Sequence, residues 1–108
     1  MSAAITCMHD DPGHPWTLPL LAEKCNMSRA TFVRLFQDKL GLSASDLLTD
    51  IRMTMSANEL RKTSISTGAI AEAVGYQSEA AFQRAFKQHM GVTPARWRKS
   101  AETKEDVV

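Results

Sequence analysis

The sequence predicts an all-α fold of about seven helices, in which two helix-turn-helix subdomains are joined by a long linker helix. Two observations support this prediction. Apolar residues recur three and four positions apart, which is the spacing that places side chains on one face of an α-helix. In addition, the pattern of residues 16–41 returns in residues 65–99, which indicates two copies of one structural unit.

The repeat can be followed residue by residue. Ala22 and Glu23 match Ala71 and Glu72, which lie 49 positions later. Beyond the turn the separation becomes 50 positions, because the second turn is one residue longer. The pairs that then match are Ser28 with Ser78, Phe32 with Phe82, Arg34 with Arg84, Phe36 with Phe86 and Gly41 with Gly91.

Composition limits the core and the class of protein. With 108 residues, of which 44% are hydrophobic, the chain can bury one modest core or two small cores that share a bridging element. It contains no apolar run of about eighteen residues and no basic stretch followed by an apolar one. We therefore expect no membrane span, no secretory signal and a cytoplasmic location.

Positive charge is concentrated in the central part of the chain. The net charge is only +1, but residues 15–99 hold twelve Lys or Arg and seven Asp or Glu, a surplus of five. Residues 1–14 and residues 100–108 each carry a net charge of −2 and hide this surplus. The last of these segments is predicted to be a frayed polar tail.

Residues 1–15 are predicted to form a short helix followed by a loop. Residues 2–9 place Ile5 and Met8 on one face, and the helix stops by Pro12. Side chains of metal-binding type lie near this loop: His9, Asp10, Asp11 and His14. Because the Pro-Gly turn between them imposes no helical register and nothing else completes a site, we predict no metal and no cofactor.

The two cysteines have neither the spacing of a metal site nor that of a disulfide pair. Cys25 occupies the place that Val74 occupies in the second copy, which favours a buried, small apolar residue. A redox-sensing role for the pair with Cys7 is the alternative.

The first helix-turn-helix is predicted at residues 16–41. Trp16 stands just ahead of Thr17, as apolar residues do before a helix cap. Asn26 provides the turn, because Asn tolerates left-handed geometry better than other residues with a side chain. The longer helix after Ser28 has an apolar face formed by Phe32, Leu35, Phe36 and Leu40.

Residues 43–62 are predicted to form the linker helix. Ser43 and Asp46 have the spacing of a capping box. The predicted apolar stripe consists of Leu47, Leu48, Ile51, Met55 and Leu60. A continuous helix of about 18 residues spans roughly 27 Å and holds its ends rigidly, which a loop cannot do.

The second helix-turn-helix is predicted at residues 65–99. Ser66 or Thr67 caps a short first helix, and Ser78 caps a longer second one. Glycines suited to left-handed geometry follow the two helices: Gly75 and Gly91. The apolar stripe of the longer helix consists of Phe82, Ala85, Phe86 and Met90.

This second copy resembles the C-terminal half of the DNA-binding domain of AraC/XylS-type bacterial transcription regulators. The residues that carry the resemblance are Ala71, Gly75, Tyr76, Ser78, Phe82, Phe86, Lys87, Gly91, Thr93, Pro94, Trp97 and Arg98. In weaker form it extends from about Trp16, so that residues 16–99 resemble the whole domain. The chain departs from the family pattern at Ala44, where the second copy has proline, at Glu59, and at Thr67 with Gly68.

The exposed faces of the two longer helices are the predicted DNA-binding site. Burial of the apolar stripes turns two matching sets of residues outward, Arg29, Ala30, Val33, Arg34 and Gln37 in the first copy and Glu79, Ala80, Gln83, Arg84 and Lys87 in the second. The resemblance implies base contacts at Ala30, Val33, Arg34, Glu79, Ala80, Gln83 and Arg84. A solvated helix face is the alternative, most of all for the two alanines.

Side-chain chemistry assigns different roles within this set. Arg34 and Arg84 occupy equivalent positions, and arginine binds the O6 and N7 atoms of guanine. Glu79 either accepts a hydrogen bond from cytosine N4 or favours the helix dipole as a first-turn acid. Residues placed as phosphate neighbours are Thr31, Gln37 and Lys87.

Together these features predict sequence-specific binding of double-stranded DNA by a bacterial AraC-type transcription regulator, with two recognition helices in successive major grooves. The chain is expected to be a monomeric fragment that lacks an effector domain, or else a minimal stand-alone regulator. If it is a fragment, the full-length protein is expected to dimerise through the missing domain. RNA polymerase is a candidate partner. The alternative is a helical protein-protein interaction module that contacts the transcription machinery and binds DNA incidentally. An enzyme is not expected.

Overall fold

The structure, a computed structural model, describes residues 2–107, with side chains described for residues 2–100. All regular structure in this range is helical and agrees with the predicted all-α fold. The helices are α1 (Ser2–Asp10), α2 (Leu18–Lys24), α3 (Arg29–Leu40), α4 (Ala44–Lys62), α5 (Thr67–Ala73), α6 (Glu79–Met90) and α7 (Pro94–Val107). None of these described helices is long and apolar enough to cross a membrane.

The chain divides into two compact units, which meet within the sequence of α4. Unit 1 is Met1–Ile51 and unit 2 is Arg52–Val108. Each unit has its own helix-turn-helix, formed by α2 and α3 in unit 1 and by α5 and α6 in unit 2. The two copies that the sequence repeat indicates are therefore two separate packing units.

Unit 1 has a core to which α1, α2, α3 and the start of α4 all contribute. The buried residues are Ala4, Met8, Leu21, Ala22, Phe32, Phe36, Ala44, Leu48 and Ile51. Ile5 and Cys25 lie half-buried against this core. Cys25 is thus less buried than the sequence predicts, although it does pack on apolar residues. Leu40 is a correction, because it is 40% exposed. It is the last residue of α3 and lies about 80° around the helix from Phe32, eight residues earlier.

The loop after α1 holds Trp16 in place. The indole Nε1 of Trp16 donates a hydrogen bond to the main-chain oxygen of Asp11 at 2.8 Å. The ring of His14 contacts the indole, with 4.4 Å between centroids, and its Nδ1 lies 3.7 Å from a carboxylate oxygen of Asp11. Two of the four residues with metal-binding side chains thus contribute to a local polar and aromatic cluster.

Unit 2 has a core built on α4, α5 and α6. Its buried apolar residues are Met53, Ala57, Leu60, Ile70, Ala71, Val74, Phe82 and Phe86. Trp97 of α7 packs on this core, with its ring centroid 6.1 Å from that of Phe86. The indole Nε1 of Trp97 also donates a hydrogen bond to the main-chain oxygen of Ala57 at 3.0 Å, which ties α7 to α4.

The linker helix α4 differs from the single apolar stripe that the sequence predicts. Met55 is 39% exposed, whereas Met53 is fully buried. The reason is that the first half of α4 packs in unit 1 and the second half in unit 2. Ile51 and Met53 are two residues apart and therefore lie about 200° apart around the helix, so one continuous stripe cannot serve both.

Ser56 is the buried polar residue of this helix. Its side chain is fully buried, and its hydroxyl donates to the main-chain oxygen of Arg52 at 2.7 Å. Since a buried hydroxyl is costly without a partner, this bond within the helix makes the position tolerable.

Arg52 contacts the turn of the second helix-turn-helix. Its guanidinium carbon lies 5.9 Å from the ring centroid of Tyr76, and that ring contacts Phe82 edge-on. Burial lowers the pKa of Arg52, and the interaction with Tyr76 partly opposes this effect. Burial raises the pKa of Tyr76, and the charge of Arg52 partly opposes that effect. The contact thus forms in a partly desolvated setting, where cation–π attraction is stronger than in water.

Helix α7 is longer than the sequence predicts. It continues to Val107 and includes residues 100–107, which we expect from the sequence to form a frayed polar tail. The correction has a simple local reason, because this segment contains Ala101, Glu102, Lys104 and Glu105, and all three residue types favour helix.

Candidate nucleic-acid interface

The helix-turn-helix of unit 1 is fixed by local hydrogen bonds at each predicted boundary. The hydroxyl of Thr17 accepts from the main-chain N–H of Leu20 at 3.2 Å and begins α2. Asn26 has φ of 55°, the left-handed geometry that the turn requires. Ser28 then caps α3 by accepting from the N–H of Thr31 at 3.3 Å. The short helix, the turn and the long helix are therefore confirmed in this copy.

The helix-turn-helix of unit 2 is built in the same way. Of the two caps that the sequence allows, Ser66 begins α5 by accepting from the N–H of Ala69 at 3.2 Å. Gly75 has φ of 91° in the turn. Ser78 begins α6 by accepting from the N–H of Ala81 at 3.1 Å. Both short helices have seven residues and both long helices have twelve.

Each long helix is anchored by two phenylalanines whose rings contact each other at a tilt. The ring centroids of Phe32 and Phe36 are 5.4 Å apart, and those of Phe82 and Phe86 are 5.7 Å apart, with an interplanar angle of 48° in both pairs. All four side chains are almost fully buried. Because equivalent residues are buried, equivalent residues of α3 and α6 face solvent.

The predicted site residues of α3 lie on its exposed face. Solvent-exposed positions are Arg29, Ala30, Val33, Arg34 and Gln37, with Val33 45% exposed. Thr31 is half-buried and belongs to the N-terminal cap, since its hydroxyl accepts from that of Ser28 at 3.0 Å. The structure therefore gathers the predicted residues at one face, with Thr31 at its edge.

The predicted site residues of α6 are all exposed as well. They are Glu79, Ala80, Gln83, Arg84 and Lys87. Within this face the side chain of Gln83 donates from Nε2 to a carboxylate oxygen of Glu79 at 3.3 Å. This bond is not among the sequence-based predictions, although a separation of four residues on one helix is the spacing at which such pairs meet.

The charges on the two faces differ. The face of α3 carries Arg29 and Arg34, whereas the matching positions of α6 carry Glu79 and Arg84. The two faces therefore carry different side chains, although their helices begin and pack in the same way.

Comparisons with known proteins agree with this arrangement. A family model described as a helix-turn-helix domain matches residues 21–100. The RCS-specific HTH-type transcriptional activator RclR of Escherichia coli is 39% identical over 98 residues, which are 91% of this chain and 34% of that protein. A putative AraC-like transcription regulator of Streptomyces antibioticus is 38% identical over 99 residues, 92% of this chain and 33% of that protein.

The chain belongs to the AraC-type helix-turn-helix family. The AraC-type domain spans about a third of the length of these two curated relatives. Its fold is that of the DNA-binding domain of AdpA, which was solved in complex with a target DNA. The two structures match with a TM-score of 0.90 at 22% identity, over 95% of this chain and 93% of the other.

Proposed function

We propose that this AraC-type domain binds double-stranded DNA in a sequence-specific manner, with α3 and α6 acting as recognition helices in successive major grooves. One observation supports this most directly. Two twelve-residue helices, each capped by a serine and each anchored by a buried phenylalanine pair, expose equivalent faces that carry Arg34 and Arg84 at matching positions. An α-helix of this kind fits the width of the major groove.

The side chains on the two faces divide by chemistry. Arg34 and Arg84 are the proposed readers of guanine, because a guanidinium donates two parallel hydrogen bonds to O6 and N7. Short apolar side chains suit the methyl group of thymine: Ala30, Val33 and Ala80. Arg29 and Gln83 complete the base-reading set, and Glu79 lies beside Gln83 on the same face. Thr31, Gln37 and Lys87 are the proposed phosphate neighbours, which fix the register without reading sequence.

The continuous helix α4 supports engagement of successive grooves by one chain. It has nineteen residues and passes from unit 1 into unit 2 without a break. At about 1.5 Å per residue its length is about 28 Å, near the rise of one turn of DNA. We therefore place the domain on DNA as a monomer.

The biological role that follows is regulation of transcription in the cytoplasm of a bacterium. RNA polymerase is a second proposed partner, and dimerisation of a longer protein through an additional domain is compatible with this scheme. Binding rather than catalysis is the proposed activity, in line with relatives that are named as transcription regulators.

Selection of binding sites from random duplex DNA tests this function. We expect enrichment of a motif with two unlike halves separated by about one helical turn. The Arg34→Ala and Arg84→Ala variants should each lose preference in a different half. A protein-protein interaction module with incidental DNA affinity would instead enrich no motif, and that result would overturn the proposal.

A further inference from the structure

The second recognition helix contains a hydrogen-bonded pair that the first cannot form. Nε2 of Gln83 donates to Oε1 of Glu79 at 3.3 Å, and both side chains are exposed on the face of α6 proposed to meet DNA. At the matching positions α3 carries Arg29 and Val33, of which the valine has no hydrogen-bonding group. Any preference that depends on this pair is therefore confined to one half of the binding site.

The bond determines which way the carboxamide of Gln83 points. An ionised carboxylate only accepts hydrogen bonds, so the amide nitrogen of Gln83, and not its oxygen, must face Glu79. The second hydrogen of that nitrogen and the oxygen Oε1 are then the groups left for a ligand. One donor beside one acceptor is the arrangement that pairs with N7 and the N6 amino group of adenine.

Glu79 lies against the preceding helix at a glycine. A Cβ atom placed on Gly68 would lie 3.5 Å from Oε2 of Glu79, an ordinary van der Waals distance, so this carboxylate packs beside α5. The other oxygen, Oε1, is the one that holds Gln83. Glu79 is thereby placed between α5 and the residue that it orients.

The carboxylate also disfavours the competing base. Guanine presents two acceptors, O6 and N7, to the major groove. The Glu79 carboxylate is itself an acceptor, so its presence beside Gln83 adds repulsion toward both guanine atoms. Adenine presents one donor and one acceptor, which the oriented amide satisfies without turning. The arrangement thus favours adenine over guanine by both hydrogen bonding and charge.

We propose that Glu79 is a positioning residue that holds the Gln83 carboxamide in the orientation that reads adenine in the half-site of α6. Glu79 then acts through Gln83 and does not itself contact a cytosine. This inference rests on the proposed DNA binding and deepens it by assigning a base to one residue.

The test starts from the site that the unaltered domain selects from random duplex DNA. Selection is repeated with Gln83→Ala, Glu79→Ala and Glu79→Gln, and affinities are measured on the selected duplex and on one that carries 7-deazaadenine, which lacks N7. The thermal midpoint of every variant is recorded, because Glu79 also favours the start of α6 as a first-turn acid.

We expect one adenine position that becomes degenerate in Gln83→Ala, with a loss of discrimination of at least about fivefold. Glu79→Ala should reduce the preference at this same position, while Glu79→Gln should restore most of it, because a glutamine oxygen also accepts the bond from Nε2. The unaltered domain should bind the 7-deazaadenine duplex severalfold more weakly than the selected duplex. The Gln83→Ala variant should bind these two duplexes equally well.

Several outcomes would overturn the inference while leaving the proposed function intact. In the first, Gln83→Ala selects the same motif as the unaltered domain. In the second, the position that Gln83→Ala changes is one at which the unaltered domain prefers guanine. In the third, the unaltered domain prefers cytosine at a position where only the Glu79 variants lose this preference. Equal discrimination by Glu79→Ala and the unaltered domain would show that the pair does not orient Gln83. Selection of no motif at all would overturn the proposed function itself, and the inference with it.

Discussion

The Nε atom of Arg98 donates a hydrogen bond to the main-chain oxygen of Leu60 at 3.0 Å. Leu60 lies in the last turn of α4, where carbonyl groups have no partner within the helix. A second nitrogen of the same guanidinium, Nη2, donates to the main-chain oxygen of Ile65 in the segment before α5. Arg98 therefore closes the end of α4 and fixes the chain that leads into the second helix-turn-helix.

Replacement of Arg98 by alanine should destabilise unit 2. Hydrogen bonds from a charged donor contribute about 1.5 to 3 kcal/mol, and Arg98→Lys should lose most of this because an ammonium lacks the planar fork that reaches two carbonyls. The free energy of unfolding, measured in urea, gives the result. Arg96→Ala is the control, because Arg96 is exposed and such changes stay within about 0.5 kcal/mol. Equal effects of the two alanine variants would refute the structural role of Arg98.

Ala44→Pro should stabilise unit 1. Ala44 is the first residue of α4, as Pro94 is of α7, and proline is favoured at the first position of a helix. The residue before each of them caps the helix in the same way. The hydroxyl of Ser43 accepts from the N–H of Asp46 at 3.1 Å, and the hydroxyl of Thr93 accepts from the N–H of Arg96 at 3.3 Å. An apolar pocket of about 80 Å³ borders Ala44. We expect a gain of about 0.4 to 1 kcal/mol from reduced freedom of the unfolded chain.

Calorimetry of Ala44→Pro and of the reverse change, Pro94→Ala, checks this prediction. The first should raise the thermal midpoint and the second should lower it, since Pro94 is fully buried in unit 2. A lower midpoint for Ala44→Pro would mean that the ring clashes at the start of α4 and that the two positions are not equivalent.

Local signals explain why most of the fold could be predicted from the sequence. The caps at Ser28 and Ser78 and the turn at Asn26 each depend on residues a few positions apart. The buried face of α4 could not be predicted, because the change from Ile51 to Met53 depends on which unit each half packs in. The bond from Arg98 to Leu60 spans 38 residues, and periodicity carries no information at that distance.

The candidate site could be predicted as a surface but not as a set of contacts. Exposure of Arg34, Gln83 and Arg84 follows from burial of the phenylalanines on the opposite side of each helix. The bond between Gln83 and Glu79 is signalled by their four-residue spacing, yet the orientation of the amide emerges only from the placed side chains. Base identity at each position depends on the DNA and stays a prediction.

DNA binding should weaken steeply with salt. Residues 15–99 carry a surplus of five positive charges, and each phosphate that the domain neutralises releases counterions. A plot of log affinity against log salt concentration should have a slope of about −0.9 for each phosphate contacted. Lys87→Ala should make the slope less negative by about 0.9, the value for one phosphate contact. Glu72→Ala, which alters an exposed charge of α5, serves as the control. A slope near zero would contradict an electrostatic mode of binding.

Arg34→Ala and Arg84→Ala should each relax specificity at one base pair. An arginine that binds guanine through two hydrogen bonds contributes about 1 to 3 kcal/mol of discrimination. Competition titrations with duplexes that differ at a single position measure this quantity for each variant. Uniform weakening on all duplexes, with the ranking of sequences unchanged, would instead identify the two residues as phosphate contacts.

The spacing between the two half-sites should matter as much as their sequence. In the proposed mode of binding the two recognition helices are connected through α4, a helix of nineteen residues that we predict does not stretch. Insertion of about five base pairs turns one half-site to the far side of the duplex, and insertion of about ten restores the side but adds roughly 34 Å. Both duplexes should bind with the affinity of a single unit.

A matched set of duplexes separates this rigid scheme from its alternatives. Two scrambled controls, each with one half-site replaced, define the affinity that one unit provides alone, and the two insertion duplexes should fall to the higher of these values. If the ten-pair insertion bound as tightly as the original site, the connection through α4 would have to yield, or the two half-sites would have to be occupied by different chains. The number of chains bound per duplex would distinguish these two explanations, because two chains per duplex would mean that different chains occupy the half-sites. Either result would reject binding of successive grooves by one rigid monomer.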